Sequence, residues 1–222
     1  MRLSTSIAKS SPLTQRIAES HSHETSPSLI DATHPLRARV EKFIAGRFLE
    51  VHGARIPGFM PTLIALFDED GETLAAVGIR DAASEALFLE HYIDTSVEQA
   101  IANHANRPLS LPQRDHIVEI GNLASIDRRA SRKLFKSLAG LLHRQGFEWA
   151  VFTGCTSLHR MFGALGIETI DLGRALQSRL PEDQQTWGSY YEDNPRVVAG
   201  KVSRGCVAFN NDAGETTGRA VA

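Results

Sequence analysis

Glu119 is the one charged residue in the stretch from Ile117 to Leu123. The pattern predicts a buried strand in which the odd-numbered residues, Glu119 included, share one face and the even-numbered residues share the other. A buried carboxylate is unfavourable unless it is paired or protonated, and burial raises its pKa. Glu119 is therefore a candidate general base. An equally good interpretation is a structural glutamate paired with an arginine, for instance Arg80 or Arg114.

A basic turn follows this strand, from Ser125 to Lys133, and carries four cations and one anion. Behind it, leucines at helical spacing predict a helix from Ala130 to Gln145 that ends at Gly146. The start of a firmly packed helix offers free backbone N–H groups and a partial positive charge, which favour phosphate, and Arg and Lys side chains add to the attraction. The turn is thus either an anion site or an ordinary solvated basic turn.

Two further groups have chemically active side chains. Cys155 follows a predicted strand and His159 lies four residues on, so a Cys–His nucleophile is imaginable. No helix dipole or basic neighbour obviously lowers the thiol pKa, which argues against it. His21 and His23 stand beside Glu24, but two close imidazoles alone do not complete a zinc site, and we predict no metal.

The elements that must hold these residues are indicated by hydrophobic periodicity and by turn residues. They are a helix over Arg37 to Val51 before Gly53, a hairpin of Thr62 to Phe67 and Thr73 to Ile79, a helix after Thr95 to Ala102, a strand over Trp149 to Thr153, a helix over Ser157 to Leu165, and one or two strands within Trp187 to Val202. Together with the central strand and helix, this order predicts an α/β fold around a mixed sheet.

Composition and the two chain ends limit the classes of protein to which the chain can belong. The 222 residues are 42% hydrophobic with a formal net charge of −2, so no basic excess indicates nucleic acid. Two cysteines argue against a disulfide framework. Residues 1–31 and 210–222 are predicted to be flexible tails around one domain, residues 32–209. With no signal-peptide block and no apolar run of about 18 residues, we expect a cytoplasmic protein without a membrane span; its oligomeric state is open.

Several short strings carry a resemblance to a known family. They are Gly53 to Ile56, Phe59 to Pro61, Ala76 to Arg80, Leu87 to Tyr92, Val118 to Ser125, Trp149 to Thr153, and Trp187 to Tyr191. From about Arg37 to Val202, the chain resembles the family named after thermostable hemolysin. The pattern also looks like the fold shared by GNAT-type N-acetyltransferases and acyl-homoserine-lactone synthases. That resemblance implies a GNAT-like acyltransferase domain, with a mixed central sheet flanked by helices on both faces.

The resemblance also implies where an acyl thioester would bind. Its pantetheine would lie between two splayed strands, Ile117–Leu123 and Trp149–Thr153. The diphosphate of coenzyme A would lie on the loop that opens the next helix. The donor site would then comprise Leu123, Ala124, Ser125, Arg128, Arg129, Ala130, Ser131 and Arg132. We expect acyl-CoA or acyl carrier protein as co-substrate and no tightly bound cofactor.

One departure from the acetyltransferase pattern bears on the donor. The turn has no glycine, and Arg129 and Ser131 stand where that loop has small residues. Their side chains would crowd a close backbone approach to diphosphate. This weakens the case for coenzyme A and leaves acyl carrier protein open, because a basic turn could also meet an acidic carrier surface.

The implied reaction is attack of a small amine on a thioester carbonyl, with Glu119 taking the amine proton directly or through water. A backbone N–H near Leu123 or Ala124 would stabilise the oxyanion. Tyr190 or Tyr191 would protonate the departing thiolate, although packing is the commoner role of such aromatic groups. The residues expected on the acceptor side are Arg80, Glu90, His91 and Asn122.

Two other functions stay open. The family name implies a membrane-active toxin, but the sequence contains no strongly amphipathic basic helix of the interfacial type. The same fold could also serve as a non-catalytic acyl-CoA-binding domain, which predicts tight binding without turnover.

Overall fold

The computed structural model describes residues 27–104 and 110–215, with side chains as far as residue 211. Most of the predicted N-terminal tail, with His21, and residues 216–222 lie outside this range. Two predicted boundaries change. Ser28–Ile30 forms the first strand, β1, and the last helix continues past residue 209 to Glu215.

Seven strands and five helices make up the described chain. The strands are β1 (Ser28–Ile30), β2 (Thr62–Phe67), β3 (Thr73–Asp81), β4 (Ile117–Ser125), β5 (Trp149–Gly154), β6 (Thr169–Arg174) and β7 (Arg196–Lys201). The helices are α1 (Arg37–His52), α2 (Val97–His104), α3 (Arg128–Arg144), α4 (Thr156–Ala164) and α5 (Val202–Glu215). A 3₁₀ turn over Phe88–Tyr92 follows β3.

The strands form one mixed sheet in the order β1-β2-β3-β4-β5-β7-β6. Only β4 and β5 pair in parallel; the other neighbours are antiparallel. Residues of α3, α4 and α5 pack on one face, while α1, α2 and the 3₁₀ turn cover the other. The predicted α/β fold is confirmed. Within the described residues, no helix combines the length and apolar character needed to cross a bilayer.

The late elements agree with the prediction only in part. Within Trp187 to Val202 the structure has one strand, β7, as the prediction of one or two strands allows, and residues Gly188–Asp193 form a 3₁₀ turn bounded by left-handed backbones at Gly188 and Asn194. The edge strand β6 was not predicted. Its residues are half exposed and its register shifts between Asp171 and Gly173, so it lacks a clean apolar alternation.

The end of β4 carries the feature that positions the site. Between the pairs Gly78–Gly121 and Ala76–Ala124, β4 has one residue more than β3, which is a β-bulge. Asn122 at this point has φ 50°. The bulge breaks the alternation, so the predicted face of Leu123 is wrong: Leu123 packs with the α3 side, away from Glu119.

Beyond the bulge, β4 also separates from β5. Their parallel pairing runs from Ile117–Trp149 to Ile120–Phe152 and stops there, although both strands continue. The two central strands therefore open into a gap at their carboxyl ends, next to the start of α3.

Helix α3 begins at Arg128, two residues before its predicted start. The Asp127 carboxylate accepts a hydrogen bond from the Ala130 N–H at 2.7 Å, which is a normal N-cap. Buried Leu134, Leu138 and Leu142 hold the helix on the sheet. Half of the predicted basic turn is therefore the first turn of a firmly packed helix.

Candidate active site

A single cavity of about 1060 Å³ opens where β4 and β5 separate and reaches both faces of the sheet. On the α1 side its wall is an aromatic chamber, formed by Phe48, Phe88, Tyr92, Trp187, Tyr190 and Tyr191. On the other side it continues as an apolar arm, lined by Phe135, Leu138, Ala139, Phe162, Gly205 and Phe209. Glu119 lines the cavity at the sheet itself.

Glu119 is 3% exposed and hydrogen-bonded through both oxygens. Its Oε1 accepts from the Leu89 N–H at 2.8 Å, and its Oε2 accepts from the Phe88 N–H at 2.9 Å and from Arg80 Nη1 at 3.3 Å. Burial raises the pKa of Glu119, and Arg80 and the two N–H groups offset part of that rise. A carboxylate oxygen can accept two hydrogen bonds, so Oε1 keeps one position for a substrate proton.

Both predicted tyrosines line the cavity, in different surroundings. The Tyr190 hydroxyl donates to the Thr153 carbonyl at 3.3 Å, at the end of β5. The Tyr191 hydroxyl lies 2.5 Å from that of Tyr92. Burial raises the pKa of Tyr190 and of Tyr191, so both keep their protons at neutral pH. Tyr190 is thus the tyrosine beside the gap between the central strands.

The predicted donor residues divide into two groups. Those that line the cavity are Leu123, Ala124, Ser125, Arg128, Ser131 and Arg132. Arg129 is exposed and Ala130 is buried, and neither lines it. The Ala130 N–H already binds Asp127, whose carboxylate also occupies the helix start. An anion here would therefore be held by the Arg128 and Arg132 side chains more than by free backbone N–H groups.

The predicted acceptor residues also separate. Arg80 and Asn122 line the cavity, whereas Glu90 and His91 do not. Glu90 binds Arg114 Nη2 through Oε2 at 2.8 Å, and Arg114 holds the pKa of Glu90 below its ordinary value. Exposed His91 contacts the Phe88 carbonyl through Nδ1. These two residues brace the 3₁₀ turn whose N–H groups bind Glu119.

Met60 forms a wall of the cavity that sequence reasoning did not identify. Gly78 and Gly121 are paired across β3 and β4, and a Cβ on either would come within 2.5 Å of the Met60 side chain. The Asn122 side chain accepts from the Met60 N–H at 2.7 Å and fixes this contact. The Phe59-Met60-Pro61 string was a visible signal, but it did not indicate a place in the fold.

We expect Asn122→Ala to lower the free energy of unfolding by about 2 kcal/mol, since it removes the bond to Met60 and places an alanine in a left-handed backbone. Asn122→Gly keeps the backbone unstrained and should lose about half as much. Urea titration of both variants measures the difference. If Asn122→Ala and Asn122→Gly are equally stable, the left-handed backbone at residue 122 does not strain an alanine.

The other predicted groups do not assemble. The His159 ring binds the Gly154 carbonyl through Nε2 at 3.0 Å, and the Cys155 thiol lies 3.0 Å from the Ser157 hydroxyl. The structure therefore shows no Cys–His pair. Among the side chains described, in residues 27–104 and 110–211, no three His, Cys, Asp or Glu are grouped to hold a metal.

Solved structures share this architecture at low sequence identity. The AHL synthase LasI aligns with a TM-score of 0.57 and 13% identity, over 85% of this chain and 96% of LasI. The CoA-dependent acyl-homoserine lactone synthase BjaI, with SAM and isopentyl-CoA, aligns with a TM-score of 0.57 and 11% identity, over 86% of this chain and 90% of BjaI. FeeM, an N-acyl amino acid synthase from uncultured soil microbes, aligns with a TM-score of 0.51 and 14% identity, over 82% of this chain and 98% of FeeM. The likeness confirms the GNAT-like fold.

The sequence comparison gives the family. No curated protein matches the chain. The family model described as thermostable hemolysin matches residues 30–206, which include every strand from β2 to β7 and the whole cavity wall up to Gly205. The chain belongs to the thermostable hemolysin family.

Proposed function

We propose that this protein transfers an acyl group from an acyl thioester to a small amine. The observation that carries the proposal is the cavity: it runs through the gap between β4 and β5 and joins a buried carboxylate to an apolar arm. A thioester carbonyl in the gap would have Glu119 on one side and space for its acyl chain on the other. The fold is one on which LasI, BjaI and FeeM are described as synthases of acylated products, which supports the proposal.

In the proposed reaction, the amine nitrogen attacks the thioester carbonyl and Glu119 Oε1 receives its proton. The backbone N–H of Leu123 or Ala124, where β4 has left β5, stabilises the oxyanion. When the C–S bond breaks, Tyr190 gives its proton to the departing thiolate. Tyr190 is protonated at neutral pH, and its hydroxyl must turn from the Thr153 carbonyl to deliver the proton. The proton that Glu119 took then replaces it, so both groups return to their starting states.

The donor is acyl-CoA or acyl carrier protein, which share the phosphopantetheine group. Arg128 and Arg132 line the cavity at the start of α3 and suit its phosphate. BjaI is described with isopentyl-CoA, which supports a coenzyme A donor on this fold. The turn before α3 lacks the glycines of ordinary acetyltransferases, which supports acyl carrier protein as the donor.

Arg128→Ala/Arg132→Ala is expected to raise the KM for acyl-CoA about tenfold with little change in kcat, because a charge-assisted phosphate contact contributes about 1.4 kcal/mol or more. Steady-state kinetics at low and high salt measures it. Arg129→Ala is the matched control, since Arg129 is exposed outside the cavity. An unchanged KM in the double variant would remove these arginines from the donor site.

The proposed function is tested by incubating the protein with short- and long-chain acyl-CoA or acyl carrier protein and a panel of amines. Release of free thiol and mass-spectrometric detection of the amide are the expected results. A thermal shift with acyl-CoA but no amide for any amine would instead indicate a binding domain. Lysis of red cells by the protein without any acyl donor would indicate a direct toxin.

A further inference from the structure

The rings of the aromatic chamber contact one another in several pairs. Trp187 contacts Phe48, Phe88, Tyr190 and Tyr191 with ring centroids 5.6 to 6.5 Å apart. The Trp187–Tyr191 and Tyr190–Tyr191 ring planes are nearly perpendicular, at 89° and 85°. All of these rings line the cavity, and Phe88, Trp187 and Tyr191 also pack against the buried core on this face of the sheet.

The polar atoms of these rings are already engaged or shielded. The hydroxyls of Tyr92 and Tyr191 bind each other, and that of Tyr190 binds the Thr153 carbonyl. The Trp187 indole N–H has no partner among the described residues, but it is buried. The chamber therefore offers a ligand mainly aromatic surface, and a cation placed over a ring face would meet the negative part of the aromatic quadrupole.

The charges beside the chamber add to this negative character. Arg80 stands between two carboxylates: Nη1 lies 3.3 Å from Glu119 Oε2, and Nε lies 3.5 Å from Glu85 Oε1. With Glu119 ionised, as its role as a base requires, the three groups sum to one negative charge. Arg80 already has two carboxylates beside it, so a ligand carboxylate gains little net attraction there, whereas a cation is attracted by the carboxylates and by the rings.

We propose that the acceptor carries, besides its reacting amine, an ammonium group that binds in the aromatic chamber. The inference rests on the proposed acyl transfer and narrows its acceptor to diamines and related amino-ammonium compounds. Quaternary and primary ammonium groups over the faces of Trp and Tyr are held by cation–π attraction, which strengthens when water is excluded. Amino acids are disfavoured, because their carboxylate would meet the charge of Glu119 at the cavity wall.

The test compares (2-aminoethyl)trimethylammonium with 3,3-dimethylbutylamine, which has the same shape without the quaternary charge. We expect at least about a tenfold higher kcat/KM for the charged amine. The pair 1,5-diaminopentane and lysine, which differ by a carboxylate, should show the same direction. Equal rates within each pair would overturn the inference and leave acyl transfer intact. If none of the amines is converted to an amide, that result would instead contradict the proposed function.

Binding measurements and variants distinguish ammonium binding in the aromatic chamber from an effect on the reaction itself. Calorimetry should show tighter binding of the charged amine even where turnover is slow; equal affinity overturns the inference. Trp187→Leu and Phe88→Leu should reduce the preference to near unity, and Trp187→Phe should retain part of it. Phe88→Leu keeps the backbone N–H that binds Glu119. Phe162→Leu, in the apolar arm, should leave the preference unchanged; a preference that survives Trp187→Leu in folded protein would exclude the chamber.

Discussion

Glu119→Gln is expected to lower kcat/KM for amine acylation by about 100-fold or more, with the donor KM nearly unchanged. A positioned general base contributes about 10² to 10⁴ in rate, and glutamine cannot take the amine proton. Glutamine has nearly the same shape and can still accept one of the N–H bonds that Leu89 and Phe88 donate. The comparison is made by steady-state kinetics at saturating donor.

The pH dependence of the same variant is the sharper measurement. Burial raises the pKa of Glu119 above the ordinary glutamate value. A base acts when deprotonated, so wild-type kcat/KM should rise with pH through this raised pKa. A second rise at higher pH is expected from deprotonation of the amine substrate, because only the free amine is a nucleophile. In Glu119→Gln the limb at lower pH should disappear and the amine limb should remain. A lower limb that persists in the variant would belong to another group and would exclude Glu119 as the base.

A structural role for Glu119 makes different predictions. In this role Glu119 only holds the 3₁₀ turn Phe88–Tyr92 through its backbone N–H groups, so its loss would act through stability alone. Glu90→Gln is the matched control, because Glu90 braces the same turn through Arg114 without lining the cavity. We expect Glu90→Gln to lower the urea midpoint and keep the pH limb. If both variants lose stability equally and both keep the rise of kcat/KM at low pH, Glu119 only holds the 3₁₀ turn in place.

Much of the fold was predictable because its signals are local. The leucines of α3 recur at helical spacing, and the turn between β2 and β3 contains Asp70-Gly71 between apolar runs. Periodicity of this kind depends only on neighbours in sequence. Accordingly α1, β2, β3, β4, α3 and β5 lie within two residues of their predicted bounds.

The site was less predictable because its contacts connect distant segments. The N–H groups that bind Glu119 come from Phe88 and Leu89, about thirty residues earlier. The bulge at Asn122 depends on the register with β3, which one strand does not reveal. Glu90 was expected on the acceptor side because the loop after a hairpin often borders such a site, yet its carboxylate binds Arg114. Residue type and spacing indicated the chemistry, and tertiary pairing determined which side chains face the cavity.

The apolar arm leads to the second large effect. Gly205 on α5 lines the arm, and a Cβ there would have only the Ala139 methyl within 4 Å. The space beyond Gly205 is therefore open, and small residues on α3 and α5 keep it so. This space lies on the side of the sheet away from Glu119, where the acyl chain of a thioester in the gap would extend.

Gly205→Leu should therefore shorten the acyl chain that the protein accepts. A leucine side chain there would displace about three methylene groups, each worth about 0.8 kcal/mol when buried, so kcat/KM for a hexadecanoyl donor should fall about 50-fold. Butanoyl transfer should change little, because a short chain does not reach Gly205. The readout is kcat/KM for butanoyl, octanoyl and hexadecanoyl donors. Gly46→Leu, at an exposed α1 glycine outside the cavity, is the matched control. If kcat/KM falls equally for all three donors, the acyl chain binds elsewhere, because Gly205→Leu shortens the apolar arm and affects only chains long enough to reach it.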